Sequence, residues 1–231
     1  MKKTITILSL LTSFIAISYG QGTVIFATTA AAATRVSTNS VVGGPATGQA
    51  AFTSTAPDFY YALFYSTTST ANVSGSSAAV VGTNGVYAFN GTGNFTFVAY
   101  GTNNAAGGKF SSVGSAQNSD GTVTIPTIPA TATASLVAIG WSANIGSTWQ
   151  SLQTYLNNPT FTAFTGESAV ASIPLGNAPG TGTAQAEDIF GSTTGQVGGL
   201  ILGLVTPVPE PGTMALAALS GASLLLFRRR K

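Results

Sequence analysis

The stretch Phe59-Tyr60-Tyr61-Ala62-Leu63-Phe64-Tyr65-Ser66 decides the fold. Successive side chains of an extended chain point to opposite sides, so Phe59, Tyr61, Leu63 and Tyr65 share one face and Tyr60, Ala62 and Phe64 the other. Both faces are apolar. A strand of that kind has to be covered on each side, which predicts a central strand in a sheet.

Working outward, the remaining body is made of similar runs rich in Thr, Val, Phe and Tyr, separated by Gly, Asn and Ser, with almost no helical periodicity. Residues 23–28 read as a first strand. Residues 94–101 read as the next after Phe59–Ser66, with Phe95, Phe97 and Ala99 alternating against Thr96, Val98 and Tyr100. Asn84-Gly85, Asn90-Gly91, Gly107-Gly108 and Asp120-Gly121 mark turns. Residues 122–125 form a strand that Pro126 stops, with Pro129 opposing its continuation. Further strands are expected at 134–142, 160–164, 169–173 and 199–205. One helix is expected at 148–157, ending before Pro159. Residues 174–195, rich in Gly, Thr, Ala and Pro, read as a long surface loop; residues 30–33 can be read as helical, but their Thr-rich flanks and residues 41–45 fit a short strand or loop at least as well. Many short strands with Gly-rich turns predict an all-β fold, a single β-sandwich-like domain with one short helix over residues 21–206.

The two ends have a different character. Lys2 and Lys3 precede an apolar run over 5–17, then Ser18 and Gly20 flank Tyr19, which is the pattern of a signal peptide, residues 1–20, cut before Gln21 by a signal peptidase. At the other end, Val208-Pro209-Glu210-Pro211-Gly212-Thr213 leads into an apolar run ending at Phe227 and then Arg228, Arg229, Arg230 and Lys231. Residues 213–227 as a transmembrane helix would extend about 23 Å, whereas a full span takes about 20 residues. The anchor is therefore short and crosses with local thinning of the bilayer. Four consecutive cations stop transfer and place the C-terminus in the cytoplasm, with the body outside. Each proline pushes the residue before it, Val208 and Glu210, toward extended conformations. Pro211 suits the first helical position, with Glu210 against the positive end of the helix dipole. Extended backbone is what a processing enzyme grips.

This three-part terminus resembles the PEP-CTERM sorting signal of exported proteins in certain Gram-negative bacteria, with Pro209, Glu210 and Pro211 on the motif and Arg228 to Lys231 as its basic tail. The resemblance implies processing by an exosortase, a membrane-embedded cysteine transpeptidase that cuts near Pro-Glu-Pro. The precursor would span the inner membrane transiently, and the product would pass to the cell surface or extracellular matrix. The order of strands in the body also resembles, loosely, β-rich bodies that carry this signal.

Removing the two ends changes the charge. The whole sequence has a net charge of +2. The body keeps only Arg35 and Lys109 against Asp58, Asp120, Glu167, Glu187 and Asp188, a net of −3. Two scattered cations make no phosphate-neutralising patch, so nucleic acid is not an expected partner. The sequence has no cysteine and no histidine, which excludes a Ser-His-Asp triad, a thiol nucleophile, a His-based zinc site and disulfide staples. Ser-x-x-Lys is absent before Lys109. Asn118-Ser119-Asp120-Gly121 lacks the closing acid of a calcium loop and reads as a hairpin turn. Asn72, Asn90 and Asn94 each open an Asn-x-Ser/Thr pattern, which carries no expectation in a bacterial chain.

No cofactor, metal or catalytic residue is expected. The reading is a non-enzymatic protein of structural or adhesive role at the surface or in the matrix. A second reading is a carbohydrate-binding module for extracellular polysaccharide, with Trp141, Trp149 and Tyr61 as stacking rings. A third, a glycoside hydrolase, would need a carboxylate pair among dispersed acids whose sole adjacent pair is Glu187-Asp188.

Overall fold

The Phe59–Ser66 strand lies inside a large sheet, hydrogen-bonded on one side to Thr96–Asn103 and on the other to Thr133–Ser142. The computed structural model describes residues 21–28, 35–39, 48–49, 58–67, 95–104, 108–113, 121–178, 182–207 and 219–220. The expected signal peptide, residues 30–33 and 41–45, and the Asn84-Gly85 and Asn90-Gly91 turns lie outside them. So do Asp120, Pro209, Glu210, Pro211 and Arg228 to Lys231. Leu219 and Ser220 are helical, while the rest of the expected membrane helix is outside the described residues. Among the described residues no helix is long and apolar enough to cross a membrane.

In chain order the strands are β1 (Gln21–Ile25), β2 (Val36–Thr38), β3 (Gly48–Gln49), β4 (Phe59–Ser66), β5 (Thr96–Asn103), β6 (Phe110–Val113), β7 (Thr122–Pro129) and β8 (Thr133–Ser142). After helix α1 (Trp149–Asn157) come β9 (Ala163–Glu167), β10 (Ala171–Pro174), β11 (Glu187–Asp188) and β12 (Leu200–Val205). The large sheet runs β3-β2-β12-β9-β8-β4-β5-β6, with β10 also paired to β8, and a smaller sheet runs β11-β1-β7. The body is thus all-β with a short helix.

The two faces of β4 are buried in two different cores, as its alternation requires. Tyr61, Leu63 and Tyr65 meet Leu136, Ala138 and Ile173, with Val24, Val123 and Ile125 of the smaller sheet above them. Ala62 and Phe64 face the other way with Val137, Ile139 and Trp141, under Leu152, Tyr155 and Leu156 of α1. Burying one such aliphatic or aromatic side chain is worth about 1.5–3 kcal/mol. The inter-sheet core is also tied by rings, Tyr61 stacked on Phe110 at 4.2 Å and Phe26 edge-on to Phe110 at 4.9 Å. At one corner the two sheets join, because Thr28 N donates to Phe110 O and Ser112 N to Phe26 O. This occupies the outer edge of β6, which would otherwise offer unpaired backbone.

Helix α1 forms where expected. Thr148 caps it, its Oγ1 accepting from Ser151 N at 3.2 Å, which is worth about 1 kcal/mol. Leu152, Tyr155 and Leu156 make its buried face, and Asn158, standing before Pro159, ends it.

Three expectations are corrected. First, the β4–β5 register shifts, Leu63 facing Ala99 and Phe64 facing Phe97, so Val98 is left out of the ladder. Simple alternation would put Phe97 and Tyr100 on opposite faces. The bulge instead brings their rings to 4.6 Å on the helix side. Second, β7 does not end at Ile125. Gly22 pairs with Ile125 and Gln21 with Pro129, so residues 126–128 loop out and pairing resumes beyond them. Thr127 takes a positive φ of 65° inside that loop, and the strand is at a sheet edge, where proline's missing N–H is tolerated.

Third, the described residues of 174–195 do not form a surface loop. Leu175, Ile189 and Phe190 are buried, β11 lies parallel to β1, and Thr23 and Gly176 exchange two backbone hydrogen bonds of 2.9 and 2.8 Å. Gly176 also lets the segment fold back closely on itself, since a Cβ there would collide with the backbone of Ala186.

Candidate functional site

The C-terminal segment is positioned by β12. This strand is interior, parallel to β2 through Leu200–Val36 and Leu202–Thr38 and antiparallel to β9 through Gly203–Thr165 and Val205–Ala163. Where β2 ends, Asn39 continues the pairing. Its N–H donates to Leu202 O at 3.1 Å, and its Oδ1 accepts from Leu204 N at 2.7 Å. A Cβ on Gly166 of β9 would overlap the carbonyl oxygen of Ile201, so β12 sits in a slot shaped for it. Val205 is buried, whereas Thr206 and Pro207 are exposed. The chain therefore leaves the body abruptly from a strand held on both edges. Pro209 follows Val205 by four residues, so at most about 14 Å of extended chain separates the motif from the sheet.

Residues 207–231 match the PEP-CTERM protein-sorting motif. The chain carries a PEP-CTERM sorting signal. That signal marks an exported protein sorted by an exosortase, and its first residue, Pro207, is the second after the end of β12. Pro209, Glu210, Pro211 and the tail Arg228, Arg229, Arg230 and Lys231 all fall within the PEP-CTERM segment. No curated protein and no solved structure matches the chain. The PEP-CTERM segment is about a tenth of the sequence, so it speaks for sorting and leaves the body to be read from its own geometry.

The aromatic residues singled out from sequence do not form a row. Trp141 is fully buried under α1, its Nε1 donating to Gly146 O at 2.7 Å. Tyr61 is fully buried in the other core, and burial pushes its phenol above the ordinary range. Neither ring offers a face to a sugar. Trp149 is half-buried at the start of α1, edge-on to Phe64 at 4.9 Å, and its N–H donates to Tyr100 Oη at 3.0 Å.

The acids are separated as well. Glu187 and Asp188 are neighbours on β11 and so point to opposite sides of it, which prevents them from sharing a cleft. Glu167 is fully buried in β9, opposite Ile139. Among the described residues no group of three or more potential metal ligands comes together. Asp188 Oδ1 is buried with no hydrogen-bond partner, and burial holds its carboxyl above the usual carboxylate range.

A raised folded-state pKa means that ionisation of Asp188 opposes folding, and that the opposition fades as pH falls through that pKa toward the unfolded value of about 3.9. Asp188→Asn is therefore expected to be more stable than the parent at neutral pH, with the difference closing under acid conditions. Urea unfolding of both proteins at neutral and acidic pH measures this. A constant difference, or a less stable variant at neutral pH, contradicts it.

A groove of about 560 Å³ opens beside α1, at residues that sequence reasoning did not single out. Gln150 and Thr154 stand along one side of the helix at i and i+4, Asn158 stands at its C-terminal cap, and Phe161 faces them from the loop that follows. The signal present in the sequence was the polar i, i+4 row on the helix together with Phe161 set between Thr160 and Thr162.

Proposed function

We propose that this is an exported, non-enzymatic protein of structural or adhesive role, cut by an exosortase at Pro209-Glu210-Pro211 and delivered to the cell surface or extracellular matrix. One observation carries the reading: the sorting segment begins two residues after the last strand of the core. The other end supports it. β1 begins at Gln21, the first residue expected after removal of a signal peptide, so the two signals flank a body that packs its own cores. A body with only two cations and five acids that is rich in Thr, Ser and Asn suits a neutral polymer matrix better than an anionic one.

The test is a chain ending at Thr206, expressed in a host with an exosortase. It is expected to be exported and folded, and to be recovered from periplasm and medium while losing its membrane and surface fractions. An unchanged distribution between fractions would overturn the proposal.

A further inference from the structure

The groove beside α1 points to a ligand class. We infer that it binds a neutral saccharide, with Phe161 as the stacking ring and the carboxamides of Gln150 and Asn158 as the groups that read hydroxyls.

Four observations lead there. The volume, about 560 Å³, lies within the range of about 300–1,000 Å³ typical of small-molecule sites. None of the side chains lining the groove is charged, so a charged ligand would find no counter-ion, whereas a neutral one loses nothing. Phe161 is 39 % exposed, whereas the other large rings among the described residues are mostly buried, and it lies 4.9 Å from Tyr155. Gln150 and Asn158 are exposed, and among the described residues only their backbone groups are engaged, which leaves the carboxamides uncommitted. Thr154 Oγ1 donates back to Gln150 O at 2.9 Å and keeps its acceptor capacity.

The wall opposite the helix is also held in place before any ligand arrives. Tyr155 Oη donates to Phe161 O at 2.8 Å, and Asn144 Nδ2 donates to Thr162 O at 3.0 Å. Asn144 is itself held by Ser142, whose Oγ donates to Asn144 Oδ1 at 2.7 Å and accepts from Phe164 N at 2.9 Å. Phe161 is thus presented by a pinned loop, which lowers the ordering cost of binding. A sugar ring has one face of C–H groups and a rim of hydroxyls that both donate and accept. An exposed ring beside two uncommitted carboxamides complements both. Sorting does not enter into this inference, and either can fail without the other.

The test uses the full chain in detergent micelles, titrated at millimolar concentration with neutral gluco-, manno- and xylo-oligosaccharides and with uronate-bearing ones. Binding of at least one neutral oligosaccharide is expected, weakened roughly tenfold or more by Phe161→Ala. The double variant Gln150→Ala/Asn158→Ala, which alters only exposed side chains, is expected to weaken it to a similar degree with unchanged melting. Binding of none of them, binding of uronate-bearing ones alone, or binding that survives either variant undiminished would overturn the inference.

Discussion

Replacing Pro209, Glu210 and Pro211 with three alanines is expected to leave the protein uncut and membrane-held, with its body still folded and facing outward. In a helix interior proline is about 3 kcal/mol less favourable than alanine, so the native motif interrupts any helix that reaches it from the membrane. Alanine removes that interruption, so a helix in the apolar run would be free to extend outward over the motif, and the pre-proline bias toward extended backbone would be lost. The substitution also deletes Glu210, which is the only charge between Asp188 and Arg228. The body should be indifferent, because β12 ends at Val205 and its partners β2 and β9 lie wholly upstream. Fractionation of membrane, surface and medium, with a melting curve of the body, reads both parts of the expectation. Release of the triple-alanine protein in the same form as the parent would reduce the motif to a neck.

Trp141→Ala is expected to cost about 3–5 kcal/mol of stability, as for a large aromatic side chain removed from a close-packed core. Its ring is fully enclosed between β8 and α1, with Tyr60 at 6.3 Å and Tyr100 at 6.5 Å as ring neighbours. Its Nε1 hydrogen bond to Gly146 O fixes the turn that introduces α1, so the substitution also leaves a carbonyl without its partner. For a domain of this size each kcal/mol lowers Tm by about 2–4 °C. Thermal melting measures the loss, and a Trp141→Ala protein that melts with the parent would contradict the placement of the ring. The same experiment separates packing from ligand stacking, because a stacking tryptophan on a surface is removed at little cost to folding.

Much of the fold was legible where one physical signal dominated. β4 shows a period of two with both faces apolar, and it is the strand with a core on each side. Thr148 and Pro159 bracket α1, and capping and the pre-proline restriction are local effects that need no tertiary knowledge. What escaped was long-range. The bulge at Val98 depends on how β5 meets β4, and nothing in Phe95 to Gly101 announces it. Residues 174–195 have the composition of a loop, yet Leu175 and the pair Ile189-Phe190 are scattered apolar residues that a neighbouring strand, β1, collects into the core. The loop-out of 126–128 likewise follows from pairing with Gln21, over a hundred residues away.

The candidate sites divide the same way. The sorting segment was readable because its information is linear: prolines, an apolar run and a cluster of cations act on the chain whatever the body does. The groove beside α1 was not. Exposure is decided by packing, and the sequence offers no means of telling the buried Trp141 and Tyr61 from the exposed Phe161.

The central claim, that the last residues are a processing signal and no part of the finished protein, is tested most directly by the intact mass of the mature protein's C-terminus from cells that have an exosortase. The account predicts a chain that ends near Pro209-Glu210-Pro211 and has lost Arg228 to Lys231. A protein that keeps that basic tail in the membrane, surface and medium fractions alike would contradict it and make the segment a permanent single-pass anchor.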